Sequence, residues 1–90
     1  MTLNDFIYCM QIGEELELHI DGRMYFLQPN YGEQKKNIAW TQYDNFFLYD
    51  ITQNYEGEKV CCGCLCDIID YIFNGKYTLK NDFEKFKILW

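Results

Sequence analysis

The spacing of hydrophobic residues changes along the chain, and the first period is helical. Apolar side chains recur at helical spacing through residues 3–11, and Thr2 with Asp5 forms a capping pair in front of them. Gly13 follows as a stop signal. This pattern predicts a helix from Leu3 to Gln11.

A two-residue period begins at Glu15. Three aliphatic residues within positions 16–20 alternate with polar ones, as in a strand with one buried face. Asp21-Gly22 then supplies the backbone conformations of a tight hairpin turn. We therefore predict a second strand that returns from Arg23 to Gln28.

The register of this hairpin decides which side chains share a face. A two-residue turn leaves Met24 and Phe26 beside Glu17 and His19, so that acids and large apolar groups share a recognition surface. A three-residue turn with a bulge exchanges the two sets and makes that face an ordinary core face. The Asp-Gly sequence favours the two-residue turn.

Two more short strands are predicted to extend the hairpin into an antiparallel meander. Turn-forming residues bound each of them, which keeps sequential strands adjacent. The segments are, in order, a polar loop from Pro29 to Asn37, a strand with Ile38 and Trp40, a turn at Tyr43-Asp44-Asn45, a strand from Phe46 to Ile51, and a polar loop from Thr52 to Lys59.

The longest amphipathic segment runs from Val60 to Asn74. Its apolar residues recur at helical spacing, and the stripe consists of Cys62, Leu65, Cys66, Ile69 and Phe73. The pattern predicts a long helix that lies across the sheet and ends at Asn74-Gly75.

A short C-terminal helix is predicted as well. Thr78 can cap it, and its amphipathic residues run from Leu79 to about Phe86. Ile88 to Trp90 is predicted either to form an edge strand or to pack on the core. The fold class is therefore α+β: an N-terminal helix, a three- to four-stranded antiparallel meander, and a long and a short helix packed on one face of the sheet.

The composition favours one folded domain over residues 1–90. Hydrophobic residues make up 49% of the chain and aromatic residues 19%, well above what disordered segments carry. No run approaches about 18 apolar residues, and the N-terminus lacks the features of a signal peptide. We therefore expect a soluble, cytoplasmic protein, with no membrane partner and with its five cysteines as free thiols.

Negative charge is concentrated in the first two thirds of the chain. Residues 1–34 carry six acids against one arginine, and residues 37–58 carry four acids and no base, within a formal net charge of -6. Because nucleic acids attract cationic groups, this distribution disfavours direct nucleic-acid binding. It favours a basic protein partner such as a nucleic-acid-binding effector, although the same acidity also serves solubility.

The cysteines support a second hypothesis. Four of them fall in one short segment, at Cys61, Cys62, Cys64 and Cys66. They lie too close in sequence to close a tetrahedron around one ion, and nothing in their spacing requires Cys9 and His19 to complete a site. We therefore predict no metal ligands and no cofactor, and interpret these cysteines as small buried hydrophobic residues. A metal-binding or redox-sensing module is the alternative.

The sequence also lacks catalytic patterns. The chain has no serine, its single histidine His19 lies on an acid-rich strand, and its glycines form no phosphate-binding loop. Glu15 and Glu17 share one side of a strand, but no pocket or metal is indicated beside them. The sequence therefore predicts that the protein is not an enzyme.

The chain resembles small acidic proteins of phages and mobile elements of low-GC Gram-positive bacteria in its segment from Asn74 to Leu89, N-G-K-Y-T-L-K-N-D-F-E-K-F-K-I-L. In length, acidity and order of elements it is also similar to the type II-A anti-CRISPR proteins, which occupy the DNA-binding groove of Cas9. The resemblance implies an inhibitor in the host bacterial cytoplasm that acts by DNA mimicry on a Cas9-type effector, without catalytic residues. The cysteine cluster and the less acidic C-terminal third depart from that family and leave the target open.

The predicted binding surface consists of acids and tyrosines on exposed strand positions and loops. Carboxylates there would take the positions of phosphates, and the tyrosines would anchor the interface. The candidate partner-binding residues are Glu15, Glu17, Asp21, Tyr31, Tyr43, Asp44, Asp50, Tyr55 and Glu56. The alternative interpretation is that the acids are merely solvated and the tyrosines cover the core. A third hypothesis is a self-associating structural protein, a homo-oligomer held by exposed aromatic surface.

Overall fold

The computed structural model describes residues 1–36 and 41–89. The helices are α1 (Leu3–Gln11), α2 (Leu65–Ile69) and α3 (Leu79–Asp82), and 3₁₀ turns lie at Tyr31–Glu33 and Phe83–Lys85. The strands are β1 (Leu16–Ile20), β2 (Arg23–Pro29), β3 (Gln34–Lys36), β4 (Thr41–Tyr43), β5 (Phe46–Asp50), β6 (Glu58–Gly63) and β7 (Lys87–Leu89). The predicted α+β class is confirmed.

The sheet extends the predicted meander. In the described part of the chain, five strands pair antiparallel in the order β6-β5-β2-β1-β7, and β3 and β4 form a separate two-stranded ribbon. The predicted loop from Pro29 to Asn37 instead contains the end of β2, a 3₁₀ turn and β3. Tyr43 ends β4, and residues 44 and 45 connect it to β5. The strand predicted around Ile38 and Trp40 lies outside the described residues.

The two-residue hairpin turn is confirmed. Ile20 pairs with Arg23, while Asp21 and Gly22 adopt φ angles of 51° and 80°. Both angles fall in the left-handed region, which matches the right-handed twist of the flanking strands. The register is therefore the one that the Asp-Gly sequence favoured.

The core lies on one face of the sheet. Phe6 and Met10 of α1, Ile68 of α2 and Leu79 of α3 pack with aliphatic residues of β1, β2 and β5 in one buried cluster. The opposite face, which we call the open face, carries no core residue from these helices. Its half-buried side chains are Glu17, His19, Met24, Phe26, Gln28, Phe47 and Tyr49.

Helix α1 has its predicted bounds and cap. The Thr2 hydroxyl oxygen accepts the Asp5 N–H (3.2 Å), and the Asp5 carboxylate accepts the Thr2 N–H (3.0 Å). This reciprocal pair satisfies two amide donors at the start of the helix. No helix in residues 1–36 and 41–89 has the length and apolar character needed to cross a membrane.

The long helix predicted from Val60 to Asn74 is wrong. Residues 58–63 form β6 beside β5, and helix α2 has only five residues. The pairing shifts between Leu48 and Tyr49, so Val60 drops out of the ladder, and both Val60 and Cys61 pack against the core. This bulge removes the two-residue alternation that would have indicated a strand.

Phe73 reaches the core through a turn rather than along a helix. Asn74 adopts a φ of 54° in this turn, which pairs Phe73 with Tyr77. The Asn74 amide donates to the Ile20 carbonyl oxygen (3.2 Å), and its oxygen accepts the Tyr25 hydroxyl (2.7 Å). Both bonds tie the turn to the hairpin.

The C-terminal elements follow the prediction more closely. The Thr78 hydroxyl oxygen accepts the Asn81 N–H (3.1 Å) and caps α3, which continues as a 3₁₀ turn. Ile88 pairs with Leu18, so β7 is an edge strand beside β1. Trp90 lies outside the described residues.

Candidate functional site

The predicted partner-binding residues lie at two opposite ends of the sheet. Where β1 begins lie Glu15, Tyr31, Tyr43 and Asp44; at the hairpin end lie Asp21, Asp50, Tyr55 and Glu56; Glu17 lies on the open face. Because a strand rises about 3.3 Å per residue, the length of β1 separates the ends by roughly 15 Å. The nine residues therefore form two regions rather than one surface.

Tyrosine contacts organise the first region. The Tyr31 hydroxyl donates to Glu15 Oε2 (2.5 Å), and its ring meets Tyr43 edge-on at 5.6 Å between centroids. The Tyr43 ring lies directly on Gly13, where a Cβ atom would approach Tyr43 Cε2 to 2.5 Å. Burial, and then the hydrogen bond to Glu15, raises the pKa of Tyr31 to about 12. Tyr31 therefore stays a neutral donor to this carboxylate at neutral pH.

Glu14 belongs to the same region, although the sequence did not single it out. It lies beside Cys9, and burial together with the Glu14 carboxylate raises the pKa of that thiol. Glu14, Glu15 and Asp44 form no ion pair with any described side chain. These three acids with Tyr31 and Tyr43 are called the acidic end below. The three acids at positions 14, 15 and 17 are the sequence signal that could have indicated Glu14.

Two predicted acids at the hairpin end already face cations. Asp50 is bonded to Arg23 and also accepts the Thr52 hydroxyl (2.6 Å) and the Thr52 N–H (3.0 Å). Burial raises the pKa of Asp50, but the bonds from Thr52 and Arg23 outweigh it and hold that pKa below its ordinary value. Asp21 lies 3.9 Å from Lys76 Nζ. These two carboxylates therefore add little negative potential for a partner.

Glu17 also has an internal partner. Its Oε1 lies 2.7 Å from His19 Nε2, two residues along the same strand. Both side chains lie on the open face and are partly exposed. Glu17 therefore lies between the two regions, with its carboxylate already in contact with the His19 ring.

Tyr55 and Glu56 line a groove on the open face, which we call the aromatic groove. It has a volume of about 310 Å³ and is lined by Phe26, Gln28, Tyr49, Ile51, Tyr55 and Glu56. Tyr55 is 84% exposed, and Ile51 is buried beneath the loop. The sequence missed Phe26 and Tyr49 as site residues, although the favoured hairpin register already placed Phe26 on this face.

The cysteines do not converge. Cys61 packs against the core, and Cys62 is exposed on the neighbouring position of β6. Cys64 and Cys66 are exposed as well, so the expectation of small buried residues is wrong for three of the four. In the described part of the chain, no group of three or more His, Cys, Asp or Glu side chains is placed to hold a metal ion.

The described surface thus offers a partner two regions, the acidic end and the aromatic groove. Both present groups that hold cations, namely carboxylates and aromatic rings. A scan against models of known protein families and searches of curated proteins and solved structures found no match to this chain.

Proposed function

We propose that the protein is a small binding module that recognises a basic protein surface with its acidic end. The observation that supports this proposal most strongly is the grouping of Glu14, Glu15 and Asp44 without a counter-ion among the described side chains. Such a group steers cationic surfaces toward it and rejects acidic ones. Tyr31 and Tyr43 add rigid aromatic area next to the charges.

The partner proposed is a nucleic-acid-binding protein, with a Cas9-type effector as its first candidate. A groove that binds a phosphate backbone is lined by cationic groups, and clustered carboxylates can occupy it in place of phosphates. The resemblance of the chain to phage-encoded anti-CRISPR proteins points to the same class. In this proposal the protein acts as an inhibitor by occupying the groove, and not as a catalyst.

Competition with DNA tests the proposal. Fluorescence anisotropy would follow labelled duplex DNA bound to a Cas9-type effector as the protein is added. We expect wild-type protein to displace the DNA. A Glu14→Lys/Glu15→Lys variant should need about tenfold more protein, because it reverses two charges at the proposed contact.

A charge-matched variant provides the control. Asp70→Lys/Glu84→Lys reverses two exposed acids elsewhere and changes the net charge equally. It should displace DNA almost as well as wild type. No displacement by wild-type protein would contradict the proposal for this effector, and equal loss in both variants would show that net charge alone is responsible.

A further inference from the structure

Hydrogen bonds fix the backbone of one wall of the aromatic groove. The loop that forms one wall is held by the Gly57 N–H, which donates to the Asn54 carbonyl oxygen (2.8 Å), and by the Glu56 N–H, which donates to the Asn54 side chain (3.0 Å). Gly57 packs so closely on the sheet that a Cβ atom there would lie 2.9 Å from Ile51 Cγ2. The backbone of this wall is therefore ordered before any ligand arrives, which lowers the entropic cost of binding.

The chemistry of the groove suits a cation. Three aromatic residues, Phe26, Tyr49 and Tyr55, line it together with the Glu56 carboxylate, and no basic residue does. Glu56 forms no ion pair with any described side chain. A cation placed there would meet aromatic rings and a free negative charge at once.

The same face already holds one cation against a ring. Lys59 Nζ lies 4.1 Å from the centroid of the Phe47 ring. Phe47 in turn meets Tyr49, a wall of the groove, edge-on at 6.3 Å. The open face therefore accommodates an ammonium group over an aromatic ring directly beside the groove.

We infer that the aromatic groove binds an arginine side chain of the basic partner. Arginine fits better than lysine because its planar guanidinium can lie flat on aromatic rings and can donate two parallel hydrogen bonds to one carboxylate. Glu56 would accept those bonds, and Tyr55 would cover the bound group. This inference rests on the proposed function, since it names the side chain by which the same partner is held at a second region.

A peptide titration tests the inference without the partner. ¹H–¹⁵N spectra of the full chain would be recorded with the peptide acetyl-Gly-Arg-Gly-amide, and with versions that carry lysine or the neutral arginine analogue citrulline. We expect the arginine peptide to shift the amide signals of residues 49–56 and of Phe26. Lysine should bind about fivefold more weakly, and citrulline should cause no saturable shift.

Matched variants locate the effect. Tyr55→Ala and Glu56→Gln remove exposed groups of the groove and should each abolish saturation by the arginine peptide. Tyr8→Ala and Glu84→Gln remove an exposed tyrosine and an exposed acid elsewhere and should leave the titration unchanged. Spectra of the free variants that keep the wild-type dispersion show that the fold is intact.

The outcomes separate the two proposals. The assignment of arginine to the groove would be overturned by any of three results. The citrulline peptide could shift the amide signals as much as the arginine peptide, the lysine peptide could bind with equal affinity, or the shifts could be confined to the acidic end. If wild-type protein still displaced DNA in that case, the binding module would stand with the groove excluded. If the peptide bound the groove while DNA stayed on the effector, the inhibitor proposal would be the one to fail.

Discussion

At the scale of single residues, hydrogen bonds divide the carboxylates into two kinds. Asp50 accepts both polar groups of Thr52 and is bonded to Arg23, so it holds the end of β5 against β2. Asp44 is exposed and forms no ion pair with the described side chains. The first kind stabilises the fold, and the second is available to a partner.

The stability of the Asp50 cluster should depend on pH. We expect Asp50→Asn to lower the free energy of unfolding by about 1 kcal/mol at neutral pH, because it removes the charge from these partly exposed hydrogen bonds. The folded-state pKa of Asp50 lies below its ordinary value of 3.8, so the ionised carboxylate favours the folded state. Its contribution is complete above about pH 4 and is lost as the pH falls through the folded-state pKa. The difference from wild type should therefore shrink in acid.

Urea unfolding at neutral pH and at several acidic pH values measures this difference. Asp44→Asn serves as the control, since the exposed Asp44 side chain should contribute little to stability at any of these pH values. If Asp50→Asn lost the same stability throughout the series, the ionised carboxylate would not be the source of the effect.

The sequence could not assign these roles. Arg23 and Asp50 are 27 residues apart and meet only because β2 pairs with β5. By contrast, Glu17 and His19 lie two residues apart on one strand, and the alternation of side chains along a strand is enough to bring them to the same face. Whether an acid is free or paired therefore depends mostly on tertiary contacts, which a single sequence does not contain.

At the scale of elements, the junction between β6 and α2 is held by one carboxylate. Asp67 accepts the Cys64 N–H (2.9 Å) at the start of α2 and lies against Gly63 at the end of β6. A Cβ atom at Gly63 would overlap the Asp67 side chain. A side chain at position 63 would therefore have to displace the Asp67 carboxylate that caps the start of α2.

Gly63→Ala should destabilise this junction. The added methyl displaces the Asp67 carboxylate from the Cys64 N–H, and the loss of such a cap costs about 1 to 2 kcal/mol. Chemical denaturation would give the free energy of unfolding, and backbone amide exchange would show whether residues 64–69 open first.

Gly32→Ala is the matched control. Its Cβ atom would meet only the Asn30 side chain, at an ordinary contact distance of 3.5 Å. We expect its stability to stay within about 0.5 kcal/mol of wild type. A Gly63→Ala protein as stable as this control would show that Asp67 can move without cost.

Elements with local signals were predictable, and those that depend on distant pairing were not. Thr2, Asp21-Gly22 and Thr78 each act through neighbours within a few residues. The helix starts and the turn inferred from them are confirmed, although the α-helix after Thr78 ends at Asp82 and not near Phe86. Strand β6 is different, because its bulge sets two successive residues against the core and imitates helical spacing. The candidate site also depends on distant pairing, since Glu15 and Tyr31 meet only in the folded chain.

At the scale of the whole molecule, four bases lie away from the acidic end, while Lys35 and Lys36 lie in β3, beside β4. The acidic end is where β1 begins, whereas Arg23, Lys76, Lys85 and Lys87 lie near the hairpin turn or at the start of β7. The open face lies between these regions and carries half-buried aromatic side chains. We expect a cationic partner to approach the acidic end first, where three acids form no ion pair with the described side chains, and to meet the open face second.

Lys59 should help to keep the open face from binding other copies of the chain. It lies on the edge strand β6 and covers the Phe47 ring. A charged residue on an edge strand opposes pairing with another sheet, and Lys59→Ala would remove that charge and expose the ring. In static light scattering we expect the apparent mass of this variant to rise with concentration more steeply than that of wild type. Lys80→Ala removes the same charge from an exposed helix position and should behave like wild type. If both variants associated equally, the lost charge, and not the uncovered face, would be responsible.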